Sequence, residues 1–169
     1  VVTAPNALPL RDVEVARGDR PILRGIDLAV SAGEICALMG TSGAGKSTVL
    51  RAIVALQAFD AGTIAIGDVS LSPGPVPPES ALRPLRRKVG MVFQAHALFD
   101  HLTVLDNVTV APIHALGWSR DEAERVARRL LESLGVAHRA DALPRTLSGG
   151  EAQRVAIARA LAPDPKLLL

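Results

Sequence analysis

The sequence contains one cysteine, little net charge and no long apolar run. The single cysteine, Cys36, excludes a disulfide framework, and we expect it to be a small buried hydrophobe. No apolar run approaches the ~20 residues that cross a bilayer, and the first residues lack the basic-then-apolar layout of a signal peptide. A formal charge of +2, with acidic and basic residues interspersed, gives no reason to expect nucleic acid as a partner. Together these absences indicate a cytoplasmic, globular protein of one domain's length.

A glycine-rich loop dominates what the chain does contain. Residues 40–47 read GTSGAGKS and fit the phosphate-loop pattern GxxxxGKS. The apolar run before it, residues 34–39, predicts a buried strand, and residues 48–56 after it have helical spacing. An accidental match in a chain of this length has odds on the order of 1%, and the strand and helix on either side lower them further. The pattern therefore predicts a nucleotide-binding loop.

The residue types of this loop suit a polyphosphate. Gly40, Gly43 and Gly45 allow positive φ angles and let backbone N–H groups approach an anion without an obstructing Cβ. The loop leads into a helix N-terminus, which carries roughly half a positive charge, and Lys46 adds an ammonium group. Ser47 can then ligate a Mg²⁺ ion that bridges the phosphates.

Hydrophobic periodicity, glycine and proline predict the remaining elements. Strands are expected at residues 10–16, 21–30, 63–66, 69–71, 89–93 and 166–169, the first two as an antiparallel hairpin and the last two as buried strands. Helices are expected at residues 103–116, 119–134 and 149–162, the first kinked or broken at Pro112 and the second opened by a capping box of Ser119 and Glu122. Residues 79–88 are expected to form a short basic helix or an irregular stretch, because Pro84 disfavours a long helix.

A second motif, LSGGEAQR at residues 147–154, has two readings. Ser148 with Glu151 three residues later forms a capping box that opens a helix. The box does not explain Gly149 and Gly150, since each glycine costs ~1 kcal/mol relative to alanine inside a helix. Such a cost suggests that a second anion needs close access to those backbone amides.

LSGGEAQR after a GxxxxGKS loop resembles the signature of ATP-binding-cassette (ABC) ATPases, and Gln94 stands where that family has its Q-loop. The resemblance implies a RecA-like α/β fold with an antiparallel β region and an inserted helical subdomain. It divides one incomplete nucleotide-binding domain, 1–169, into a β subdomain and phosphate-loop core at 1–94, a helical subdomain at 95–148, and the signature helix with the start of the Walker B strand at 149–169.

The family's ATP and Mg²⁺ chemistry is carried over by motif. Lys46 would contact the β and γ phosphates, Ser47 would ligate Mg²⁺, and Gln94 would sense the metal and the attacking water; an ordinary polar residue at a strand end is the alternative for Gln94. The resemblance also implies a head-to-tail dimer, closed by ATP, in which each nucleotide touches both protomers. The contacts implied come from Gly40, Thr41, Ser42, Gly43, Ala44, Gly45, Lys46, Ser47 and Thr48 of one protomer and from Ser148, Gly149, Gly150 and Glu151 of the other.

Two departures from the family pattern stand out. The first strand pair offers no aromatic ring for adenine, and Arg17 stands where that ring is expected. Its guanidinium could stack on the base, or it could be a solvated loop arginine. The family's metal-binding Asp and water-polarising Glu would follow residues 166–169, so we expect the 169-residue chain to be a piece of a longer ATPase and to hydrolyse ATP poorly by itself.

The segment 93–113 is similar to that of bacterial importers for polar amino acids. This likeness implies an ATPase at the inner face of the membrane, partnered by a second copy and by permease subunits, and indirectly by a solute-binding protein; residues 96–102 would be the docking surface for the permease. Two alternatives stay open at this point. One is an ABC ATPase unconnected with transport, and the other is a non-hydrolysing, nucleotide-gated interaction subunit.

Overall fold

The computed structural model describes residues 6–169, which fall into two compact units, one ending at Val89 and the other spanning Gly90–Leu169. The strands are β1 (Asn6–Arg17), β2 (Arg20–Ser31), β3 (Ala61–Ile66), β4 (Val69–Leu71), β5 (Val89–Gly90) and β6 (Leu167–Leu168). The α-helices are α1 (Lys46–Ile53), α2 (Glu79–Arg86), α3 (Val104–Leu116), α4 (Arg120–Ser133) and α5 (Gly149–Leu161), with short 3₁₀ helices at Ala137–Arg139 and Pro144–Thr146. In the part of the chain so described, no helix is long and apolar enough to cross a membrane.

An antiparallel sheet with strand order β2-β1-β3-β4 forms the centre of the first unit. The hairpin predicted from the sequence is present, with Arg17 opposite Arg20 at its closed end and a tight turn at Gly18 and Asp19 between them. Gly18 has φ of 57°, which a glycine adopts without strain. The buried apolar residues of this sheet include Leu8, Leu10, Val13, Val15, Leu23, Val30, Ile64, Ile66 and Leu71.

The strand predicted at residues 34–39 is wrong. The segment has no secondary structure, and Ile35 and Met39 are 97% and 90% exposed. Cys36 is exposed too, which corrects the expectation that it is buried. A strand becomes buried only when neighbours pair with it and cover its faces, and no strand within residues 6–169 pairs with this segment.

The second unit is built on three packed helices, α3, α4 and α5. Local signals predicted all three, and α3 runs through Pro112 instead of breaking there. The Ser119 hydroxyl accepts the Glu122 N–H at 3.2 Å, as the first half of the expected capping box requires. The helices bury a cluster made of Val104, Leu105, Val108, Ala127, Leu131, Val136, Ala140, Val155, Ala158 and Ala162.

Strands β5 and β6 are shorter and less covered than the sequence predicts. Leu169 donates its N–H to the Gly90 carbonyl and accepts the Val92 N–H, a pair of bonds that straddles Met91 in the manner of parallel strands. Regular pairing nevertheless stops at Gly90, and Phe93 and Leu168 are 39% and 44% exposed. Two paired strands have only one neighbour each, so residues 89–93 and 166–169 do not form the buried strands expected.

Candidate nucleotide-binding site

The glycine-rich loop takes the backbone conformation that its sequence predicts. Gly40, Gly43 and Gly45 have φ angles of 155°, 81° and 90°, all in the region that favours glycine. At Gly45 a side chain is excluded by space as well, because a Cβ there would lie 2.8 Å from Leu23 Cδ2 and 3.2 Å from the Ile22 carbonyl oxygen. The loop is therefore seated against β2 through a residue that has to be glycine.

Helix α1 begins at this loop without a capping side chain. Gly45 is its N-cap residue, and no acidic residue lies in its first turn. The first N–H groups of a helix have no partner within the helix, and here no side chain of the cap supplies one. These amides and the positive end of the helix dipole are left for an anion.

A hollow of about 400 Å³ lies above the loop, in the range of small-molecule sites. Lys46 Nζ donates to the carbonyl oxygens of Gly40 and Thr41, each at 2.8 Å, so its ammonium group lies over the loop. The hollow brings together most of the predicted phosphate-binding residues with three residues of the hairpin. Its lining consists of Ser42, Gly43, Ala44, Gly45, Lys46, Ser47 and Thr48, together with Arg17, Arg20 and Ile22.

The hairpin supplies two arginines, Arg17 and Arg20, to the lining of this hollow. Arg17 was predicted from its position, but Arg20 and Ile22 were missed. The Ala16 N–H donates to the Asp60 carboxylate at 2.6 Å, which fixes β1 just before Arg17. The signal for Arg20 was present in the sequence, since a two-residue hairpin turn sets Arg17 and Arg20 opposite each other.

In the second unit, the signature motif opens helix α5 with a complete capping box. The Ser148 hydroxyl accepts the Glu151 N–H at 3.3 Å, and the Glu151 carboxylate accepts the Ser148 N–H at 2.7 Å. Ser148, Gly149 and Gly150 are exposed. A Cβ at Gly149 would meet nothing within 4 Å, and one at Gly150 only the end of the Arg154 side chain at 3.5 Å. Packing among the residues that the structure describes therefore does not require either glycine.

Two basic side chains that the sequence did not single out surround Glu151. Arg139 Nε and His138 Nε2 lie 3.3 Å and 3.5 Å from its carboxylate, and Arg139 also donates to the Thr146 carbonyl. The hydrogen bonds from Ser148, above all from its backbone N–H, lower the pKa of Glu151, and the Arg139 charge lowers it further. No local pattern announces these contacts, because Arg139 and Glu151 lie on different elements.

Gln94 also belongs to the second unit, where it is exposed. It lies in a turn closed by a 2.9 Å hydrogen bond from the His96 N–H to the Phe93 carbonyl. Its predicted role toward metal and water stays a prediction.

A glycine cradle that carries a lysine at a helix start, on a mixed α/β fold, defines a P-loop nucleotide-binding protein. The family model described as "ABC transporter" matches residues 23–169, and the chain belongs to that family. The family resemblance and the fold class inferred from the two motifs are thereby confirmed.

Individual relatives agree with this assignment. The chain is 49% identical over 154 residues to the glutamate transport ATP-binding protein GluA of Corynebacterium glutamicum, covering 90% of this chain and 61% of that protein. It is 42% identical over 169 residues to the arginine/ornithine transport ATP-binding protein AotP of Pseudomonas aeruginosa, covering 96% of this chain and 66% of that protein. The chain thus spans slightly less than two thirds of the length of these relatives.

A solved structure confirms the fold. The dimeric post-hydrolysis state of the ATP-binding cassette MJ0796, bound to ADP and Pi, superposes with a TM-score of 0.82 at 32% identity. The match covers 95% of this chain and 72% of that chain. The P-loop NTPase fold predicted from the sequence is therefore the observed one.

The capping box makes a pH-dependent contribution to stability. Because the pKa of Glu151 is lowered in the folded state, the carboxylate stabilises helix α5 at neutral pH, and this contribution is lost as the pH falls through the lowered pKa. We expect Glu151→Gln to destabilise the chain at pH 7, with the difference from wild type shrinking as the pH falls below the ordinary glutamate pKa. Urea unfolding at several pH values measures it, with Glu132→Gln on the exposed face of α4 as the control. A difference that stays constant as the pH is lowered well below the ordinary glutamate pKa contradicts the prediction.

Proposed function

We propose that the whole protein containing this chain is the ATP-binding and ATP-hydrolysing subunit that powers an ABC importer of polar amino acids. The observation that carries the proposal is the 400 Å³ hollow, whose floor is the bare backbone of residues 42–48 and the ammonium group of Lys46. Both transport ATP-binding proteins described above are named for amino acids, glutamate in one case and arginine and ornithine in the other.

The residues of the hollow fit a nucleoside triphosphate with its metal. The amides of residues 43–47 and the N-terminus of α1 hold the phosphates, and Lys46 turns from the loop carbonyls toward the β and γ phosphates. Ser47 lines the hollow, and its hydroxyl would hold Mg²⁺, which would neutralise charge on the phosphates. The family resemblance gives Gln94 a role toward the same ion. Gln94 would orient the attacking water. Each of these groups would position the reactants or stabilise charge, which are the two contributions on which phosphoryl transfer depends.

A second copy of the protein completes the site. Gly149 and Gly150 carry a cost in helix propensity that nothing in the described fold explains, and both residues are exposed together with Ser148. A head-to-tail dimer, in which these residues meet the γ-phosphate held by the partner, accounts for that cost. The related cassette bound to ADP and Pi is itself dimeric. ATP binding closes such a dimer, and hydrolysis opens it.

Permease subunits are the second kind of partner. Residues 96–102 form a surface loop in which Phe99 is 46% exposed, and an exposed aromatic ring is typical of a protein contact. Through this contact the protein would sit at the inner face of the membrane, and a solute-binding protein would take part only indirectly. The two relatives described above are 49% and 42% identical to this chain and are named for different amino acids. We infer that solute choice belongs to the permease and its binding protein.

The first test removes the ammonium group from the phosphate loop. Lys46→Ala is expected to weaken ATP binding about 10- to 150-fold, because hydrogen bonds to charged groups contribute about 1.5–3 kcal/mol. Titration calorimetry measures the affinity, with Lys88→Ala as the matched control, since Lys88 pairs with Asp68 and does not line the hollow. Equal affinity in both variants contradicts the proposed function.

The second test separates stability from dimer closure. Gly149→Ala is expected to stabilise helix α5 by up to about 1 kcal/mol, because alanine is the better helix former. In the whole protein the same methyl group would block the partner's phosphate and reduce ATP-dependent dimerisation at least tenfold. Urea unfolding and size-exclusion chromatography with ATP measure the two effects, with Glu132→Ala on α4 as the control. A variant that dimerises like wild type rules out this role for Gly149.

The third test concerns the nucleotide base. We propose that Arg17 stacks its guanidinium on adenine in place of an aromatic ring, an interaction worth about 0.5–2 kcal/mol. Arg17→Ala is then expected to weaken ATP binding about 2- to 30-fold while leaving the affinity for inorganic triphosphate unchanged. Arg17→Tyr should restore ATP binding, and Arg24→Ala, on an exposed position of β2, is the control. If Arg17→Ala binds ATP as tightly as wild type does, Arg17 is a solvated arginine. If the variant loses equal affinity for ATP and for inorganic triphosphate, Arg17 acts through its charge and does not stack on the base.

A further inference from the structure

Residues 94–103, here called the Q-loop segment, are held in place by helix α3 at their far end. The Asn107 side chain is fully buried and binds the backbone there. Its Oδ1 accepts the Phe99 N–H at 2.8 Å, and its Nδ2 lies 3.1 Å from the Phe99 carbonyl oxygen and 2.9 Å from that of Thr103. The end of the segment next to α3 is therefore fixed by one buried amide.

A different helix holds the near end, next to Gln94. Arg159 of α5 donates from Nη1 to the Ala97 carbonyl at 2.6 Å and from Nη2 to the His96 carbonyl at 2.9 Å. Its guanidinium also lies 5.7 Å from the centroid of the Phe99 ring, within the range of a cation–π contact. One planar side chain thus makes three contacts with the segment, which a lysine could not reproduce.

The backbone that Arg159 binds is strained. His96 and Ala97 have φ angles of 60° and 51°, two consecutive non-glycine residues in the left-handed region. Such residues are uncommon and persist only where their surroundings impose them. The forked hydrogen bonds to both carbonyl oxygens are the contact that can impose this conformation.

Helix α5 links this contact to the signature motif. Gly149 is its first residue and Arg159 follows ten residues later, about 15 Å along the axis at 1.5 Å per residue. A helix of this length moves as a rigid element, so the exposed end at Ser148 and the grip on the Q-loop segment share one body.

We propose that Arg159 is a positioning residue that couples the Q-loop segment to the signature helix, so that when a nucleotide contacts Ser148 and the two glycines, the displacement of α5 carries Gln94 and its neighbours with it. This inference rests on the proposed function, because it assumes that the signature meets a nucleotide. It adds a defined side chain through which the two motifs of the second unit move together.

The experiment uses the whole protein and measures amide hydrogen exchange of residues 96–102 with and without a non-hydrolysable ATP analogue. Wild type and Arg128→Met, a control on the exposed face of α4 with only a surface ion pair to Glu124, should show the same nucleotide-dependent change. Arg159→Met should shrink that change at least threefold. Arg159→Lys keeps the charge but lacks the fork, and should give an intermediate value.

The effect of nucleotide on hydrogen exchange distinguishes two roles for Arg159, coupling the segment to α5 and merely supporting the loop. If Arg159 only supports the loop, Arg159→Met raises exchange equally with and without nucleotide and keeps the wild-type difference, which overturns the proposal. The proposal is also overturned if the wild-type protein binds the analogue but amide hydrogen exchange in residues 96–102 does not change. If Arg159→Met does not fold, Arg159→Lys is used in its place. A nucleotide-dependent change in exchange as large as that of wild type in Arg159→Lys then contradicts the proposal. If the wild-type protein does not bind the analogue at all, that result contradicts the proposed function, on which this inference rests.

Discussion

The backbone of Gly45 is the constraint on which the nucleotide site depends. Its positive φ turns the chain into helix α1, and the missing side chain both fits the loop against β2 and leaves the helix uncapped. Helices α3, α4 and α5 begin differently, each with a hydroxyl side chain that accepts an N–H from its own first turn. Of these four helix starts, α1 alone has no side chain that accepts an N–H from its first turn. In the proposed function a phosphate takes the place of a cap, so that nucleotide binding would also stabilise this helix start.

Much of the fold follows from signals within a few residues. The β1–β2 hairpin, the short strands β3 and β4, the three helices of the second unit and the positive φ angles of the phosphate loop were all predicted correctly. Each depends on a turn, a cap, a glycine or a periodic apolar face, which are properties of neighbouring residues. The same holds for the site, since the loop and the signature were found from short spacings in the sequence.

The errors concern features that depend on distant residues. Apolar content at 34–39 indicated a buried strand and a buried Cys36, yet burial requires neighbours that no local pattern contains. The missed side chains Arg139 and Arg159 act on elements far from them in the sequence, at Glu151 and at the Q-loop segment. An arginine on a helix is indistinguishable in sequence from a solvated one. Only the fold shows which carbonyl or carboxylate it meets.

The two readings of the signature, a capping box and an anion site, are compatible. The first four N–H groups at the start of α5 belong to Ser148, Gly149, Gly150 and Glu151, and the box uses only the first and the last of them. The two glycine amides stay open. A carboxylate at a helix start would ordinarily repel a phosphate, but the Arg139 charge lies 3.3 Å from Glu151 and offsets it. The box therefore fixes the geometry of the helix start, and Arg139 neutralises the charge of the Glu151 carboxylate. The glycines leave space through which an anion held by another protomer can approach.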